Sequence, residues 1–137
     1  MTSAKSNDLS TLALVTFLLV AAIAVTCAQL VNVALAGEAD VVAVTAEQQV
    51  EGTWGFDVTL VHADTGWDHY ADRWDVIGPD GSVLGERVLL HPHVNEQPFT
   101  RSLGGVSIPN DVVSVIVRAH DSVHELGGEE VTVELLR

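Results

Sequence analysis

Cysteine is almost missing from this chain: one residue, Cys27, in 137. A single thiol excludes an intramolecular disulfide and a Cys-ligated zinc site. Positive charge is scarce too, with 6 Lys+Arg against 19 Asp+Glu and a formal net charge of −13. Tracking the phosphates of DNA or RNA needs a basic stripe, and docking on anionic headgroups needs basic clusters, so both partner classes are excluded. Aromatic residues make up 5% of the chain. No Gly-x-Ser-x-Gly elbow, phosphate loop or dinucleotide fingerprint is present, and a small all-β domain offers little concavity for a substrate. The expectation is a protein that binds and is not an enzyme.

The one long apolar run is N-terminal. Lys5 and the α-amino group precede it, no charge falls between Leu9 and Gly37, and Ala34-Leu35-Ala36 sets small residues before a polar Gly37-Glu38-Ala39-Asp40. That layout predicts a secretory signal peptide over 1–36, helical in its apolar stretch, and a mature domain over 37–137. The alternative is an uncleaved anchor, since the stretch is long enough to span about 30 Å of hydrocarbon; only then would the protein contact a membrane. Cys27 follows Ala24-Val25-Thr26, without the Leu at −3 and the Gly, Ala or Ser at −1 usual for an acylated lipoprotein cysteine. On either reading the folded part is exported, to a periplasm or to the outside. The mature part keeps 18 acids and 5 Arg and has no Lys, Cys or Met. Such an acid excess keeps a small protein soluble at the cost of self-repulsion, which a saline medium would screen.

All eleven Gly and all four Pro lie in 37–137, where Val outnumbers Leu 18 to 8. Branched residues suit a pleated, half-buried surface. Alternation places Trp54, Phe56, Val58 and Leu60 on one strand face, Val113, Val115, Val117 and Ala119 on another, and Val131, Val133 and Leu135 on a last strand. Further runs lie at 41–47, 73–77, 82–90 and near 99–103, and Gly78-Pro79-Asp80-Gly81 is a hairpin turn. Seven short strands predict an all-β, antiparallel sandwich of immunoglobulin or fibronectin III type, with Trp74 in its core; a small open barrel ranks second.

All six histidines fall between 62 and 124, at strand ends or in the connections after them. Two imidazoles, a carboxylate and a water form a reasonable Zn(II) site, acceptable also to Cu(II) or Ni(II), whereas the lack of Cys and Met in the mature part excludes blue-copper and soft Cu(I) centres. The candidate ligands are His62, His69, His91, His93, His120 and His124, with Asp64, Asp68 and Asp121 as oxygen donors. His91-Pro92-His93 is the sharpest element, because an extended backbone stiffened by Pro points residues i and i+2 the same way. His62 continues the inward face of its strand and belongs at the rim of the core. The rival reading needs no metal: the histidines are hydrogen-bonding struts, and Trp67, Tyr70, Glu96, Gln97, Phe99 and Arg101 present an aromatic and polar surface to a protein partner.

The segments Trp67-Asp68-His69-Tyr70-Ala71-Asp72-Arg73-Trp74, Gly78-Pro79-Asp80-Gly81, His91-Pro92-His93-Val94-Asn95-Glu96-Gln97-Pro98-Phe99-Thr100-Arg101-Ser102 and Ala119-His120-Asp121-Ser122-Val123-His124 resemble a small family of uncharacterised exported bacterial proteins. The resemblance covers most of the mature domain and implies export and a shared fold, but no activity. It leads one to expect a Gly after His124; this chain has Glu125, which counts against a tight turn there.

Overall fold

A computed structural model describes residues 37–137; the expected signal segment lies outside the described residues. Seven strands form: β1 (Asp40–Gln48), β2 (Trp54–Val61), β3 (Ala71–Ile77), β4 (Val83–Val88), β5 (Phe99–Val106), β6 (Ser114–Asp121) and β7 (Val131–Glu134). A single 3-10 turn, Val50–Gly52, joins β1 to β2. All pairings are antiparallel, in a three-stranded sheet of order β1-β2-β5 and a four-stranded sheet of order β4-β3-β6-β7. Among the described residues there is no α-helix.

The alternation read from the chain decides which faces meet. Trp54, Phe56, Val58 and Leu60 of β2 are buried and join Trp74, Val76, Val115, Val117 and Ala119 of the other sheet in one core. Each large apolar side chain buried there contributes about 1.5–3 kcal/mol relative to leaving it exposed, so packing holds the two sheets together without a cross-link. Three expectations need correcting at their edges. Val113 is 63% exposed because β6 begins one residue later, at Ser114. The run at 82–90 contributes strand only over Val83–Val88, and β5 extends past Leu103 to Val106. The expected hairpin closes through Gly81 N–H to the Gly78 carbonyl at 2.9 Å and Gly78 N–H to the Ser82 carbonyl at 2.8 Å, with Gly81 at φ +83°.

Antiparallel pairing then settles where the histidines go. Asp40 pairs with Val61, Leu60 with Phe99, Arg73 with Val88 and Ala71 with Asp121. The start of β1 and the β2–β3, β4–β5 and β6–β7 connections therefore gather at one end of the sandwich. Every histidine lies in or beside one of those three connections.

Candidate metal centre

His62 follows β2 directly and is 3% exposed. Its Nδ1 donates to Asp64 Oδ1 at 2.5 Å. A ring nitrogen facing a carboxylate carries a proton, so in the neutral ring Nε2 keeps its lone pair. Asp64 is fixed in turn. Its Oδ1 also accepts from Ala71 N–H at 3.0 Å, and its Oδ2 accepts from His93 N–H at 2.6 Å. Both of its oxygens are thus engaged, and Asp64 orients His62 from behind; it does not face the centre as the expected oxygen ligand.

His69 is presented by a short turn, closed by Thr65 N–H to the His69 carbonyl at 3.0 Å and His69 N–H to the Gly66 carbonyl at 3.2 Å. Gly66 sits at φ +136°, open to glycine and disfavoured for residues with a Cβ. Asp121 ends β6 and is fully buried. Its Oδ1 accepts from the N–H groups of Val123 at 2.9 Å and His124 at 2.8 Å, the local turn expected of an Asp at this place. Glu125, in the position expected to be Gly, takes φ +65° and exchanges two backbone hydrogen bonds with Asp121, at 3.0 and 3.1 Å. The tight turn forms despite the side chain, and it carries the His124 ring over to Asp121.

The β2–β3 connection and the end of β6 bring one group of donors together. His62 Nε2 lies 3.2 Å from His69 Nε2, and His69 Nε2 lies 3.2 Å from Asp121 Oδ1. One ligand atom from each of His62, His69 and Asp121 falls within 4.8 Å of the others. His124 Nδ1 stands 3.3 Å from Asp121 Oδ1, and its ring meets His69 edge-on at 4.9 Å. Donors held by a tetrahedral ion at about 2.0–2.1 Å stand about 3.3 Å from one another, which the His62–His69 and His69–Asp121 spacings match. Asp121 Oδ2 is buried with no hydrogen-bond partner, a costly state for a carboxylate oxygen. Burial pushes the Asp121 carboxyl upward, but the His124 and Val123 N–H groups and the facing His62 and His124 outweigh it and hold the group below the usual carboxylate range.

The other expected ligands go elsewhere. His91 and His93 do lie side by side, ring centroids 4.6 Å apart and tilted 37°, as a stiffened i, i+2 pair should. Yet His93 is buried face to face on Phe99 at 3.8 Å, and both of its ring nitrogens lack a hydrogen-bond partner. Burial, with Arg101 and His91 nearby, lowers its pKa. His91 is exposed and its Nδ1 stands 3.1 Å from the Pro92 carbonyl. His120 pairs instead with Asp72, Nδ1 to Oδ1 2.6 Å, and Asp68 is exposed.

The expected contact surface is also divided. Trp67 is 68% exposed with Tyr70 edge-on at 5.7 Å, and Glu96 pairs with Arg101 at 3.0 Å. Phe99, by contrast, is a core residue and is withdrawn from any partner surface. Gln97 works as a brace, accepting from His62 N–H at 3.1 Å and donating to the His93 carbonyl at 3.2 Å.

One donor had no signal in the sequence. The Gly37 carbonyl oxygen lies 3.1 Å from His62 Nε2, and nothing in a backbone carbonyl's residue type marks it as a ligand.

With this geometry in view, comparison yields one informative relative. The chain is similar to a protein of Halomicrobium mukohataei described as "Putative lipoprotein". The two are 43% identical over 97 residues, which is 71% of this chain and 47% of the relative. The chain therefore spans about half the length of the curated relative it matches. No protein-family model and no solved structure matches it.

Proposed function

We propose that this protein is an exported, cell-envelope β-sandwich that binds a divalent metal ion through His62, His69 and Asp121, with His124 at hand. The observation that carries the reading is the convergence of those donors from the β2–β3 connection and the end of β6, with Asp64 already holding His62 in the ligating tautomer. Two imidazoles and a carboxylate, with no sulfur donor, suit Zn(II) or Cu(II). An outer carboxylate on a metal-bound imidazole is the support such ligands usually have. The role assigned to the site is binding, in metal handling or delivery. The relative's description agrees with an envelope location, as does the apolar stretch before Gly37, whether removed or retained as an anchor. The three-plus-four strand division with a buried Trp74 supports an immunoglobulin or fibronectin III type of sandwich.

Calorimetric titration of residues 37–137 with Zn(II) and with Cu(II) tests this. One equivalent is expected to bind the parent, and binding is expected to be lost in His62→Ala and in Asp121→Asn. The His91→Ala, His93→Ala double variant is expected to keep it. Equal heats from parent and His62→Ala would overturn the proposal. The exposed Trp67 edge favours a second reading, a partner-binding face at Trp67, Tyr70 and Glu96; Trp67→Ala would then abolish partner capture while leaving the metal titration unchanged.

A further inference from the structure

The Gly37 carbonyl is held against the donor cluster by a lead-in that the fold grips on several sides. Ala39 is buried, and its carbonyl oxygen lies so close over Gly128 that a Cβ there would stand 2.1 Å away. Val41 N–H donates to the Glu129 carbonyl at 2.9 Å, and Glu129 N–H donates to Asp40 Oδ1 at 2.8 Å. The Glu38 side chain lies across Gly127. These contacts deliver the Gly37 oxygen to within 3.1 Å of His62 Nε2. With the His62 proton on Nδ1, that approach sets a carbonyl lone pair against an imidazole lone pair, a contact that neither atom satisfies for the other.

His62 Nε2 stands 3.1 Å from the Gly37 oxygen and 3.2 Å from His69 Nε2, which in turn stands 3.2 Å from Asp121 Oδ1. If both imidazoles are neutral, His69 Nε2 can bring at most one proton to these four acceptors. A cation satisfies all of them together, and backbone carbonyls are competent oxygen ligands. We propose that the main chain of Gly37 is a ligand of the metal, so that metal occupancy clasps the N-terminal lead-in onto the histidine end of the sandwich. This rests on the metal reading above and assigns the site's fourth position to the chain itself. The clasp ties the β2–β3 connection, the end of β6 and the lead-in to one ion.

A main-chain ligand is tested without touching a side chain. All seven strands and the buried core lie within 39–135, so two chains can be compared: one beginning at Ala36, which keeps Gly37 internal, and one beginning at Glu38, which lacks the Gly37 carbonyl but keeps the Glu38 side chain on Gly127. The shorter chain is expected to bind Zn(II) about tenfold or more weaker, on the scale of losing a supporting contact at a metal site, with an unchanged metal-free melting midpoint. In the longer chain, the carbonyl-carbon resonance of Gly37, read through the Glu38 amide, is expected to move with Zn(II) and saturate at one equivalent. If the shorter chain fails to fold, that resonance decides alone. Equal affinities, or a Gly37 carbonyl that does not move while the His62 ring resonances do, would overturn the clasp and leave the metal site standing. No Zn(II) binding by the longer chain would overturn both.

Discussion

Asp64 reaches none of the converging donor atoms, yet it governs them. It holds the proton of His62 on Nδ1 and accepts the Ala71 and His93 N–H groups, so one carboxylate links the β2–β3 connection, the start of β3 and the β4–β5 connection. Asp64→Asn keeps the shape but weakens the pull on Nδ1 and can offer an N–H to the ring instead. Zn(II) affinity is expected to fall about 10–100-fold, measured by calorimetry, with the fold retained by circular dichroism. His93 shows the opposite use of an imidazole. Desolvation lowers its pKa from 6.5, so as pH falls below 6.5 the unfolded chain takes up a proton that the folded chain refuses. The sign is then fixed: His93 reduces folding stability as pH drops from 6.5 toward its folded value and has no effect above that window. The metal-free protein should therefore melt at a lower temperature at pH 5.5 than at pH 7.5. His93→Leu, which stays apolar against Phe99, should flatten that difference; an unchanged slope would remove His93 from the explanation.

At the level of elements, the strands were legible because their periodicity is written in side chains. Trp54, Phe56, Val58 and Leu60 alternate with Gly55, Asp57 and Thr59, and burial follows the same alternation. The centre was legible only in part. Residue type and position marked His62, His69, His124 and Asp121, but they marked His91, His93 and His120 equally, and only tertiary packing tells a ring stacked on Phe99 from one aimed at a neighbouring imidazole. Asp64 was expected as a ligand because a sequence shows that a carboxylate is near, not which way it faces. The grip on the lead-in was invisible for a related reason: Gly128 reads as a turn residue, whereas its lack of a Cβ is what admits the Ala39 carbonyl. Gly128→Ala forces that contact apart. It is expected to cost about 1–3 kcal/mol, the range for overpacking a tight site, in urea denaturation. The Gly37 carbonyl should retreat with the lead-in, so Zn(II) affinity should fall in parallel.

Across the whole molecule, the charge of −13 is offset locally by few basic groups. Arg73 and Arg118 flank the buried Asp75 at 3.4 and 3.5 Å, and Arg101 is paired with Glu96. The surplus acids repel one another over distances that salt controls: the screening length shrinks from about 30 Å at ~0.01 M to about 3 Å at ~1 M. The melting midpoint is therefore expected to rise steadily with NaCl over that range in thermal scans of the metal-free protein. A flat or falling midpoint would mean that self-repulsion is not a significant term in its stability.

The odd number of antiparallel strands has one more consequence. A chain that crosses a sandwich seven times leaves by the pole opposite the one where it came in. Residues 37–40 run in beside the imidazoles, while Arg137 departs at the far pole, its guanidinium donating to the carbonyls of Pro109 and Val112 at 3.0 and 2.9 Å. A graft on the amino side of Gly37 sits on the doorstep of the donor cluster, and an oligohistidine there would compete for the same ion. The same graft after Arg137 hangs a full strand length away and leaves the cluster undisturbed.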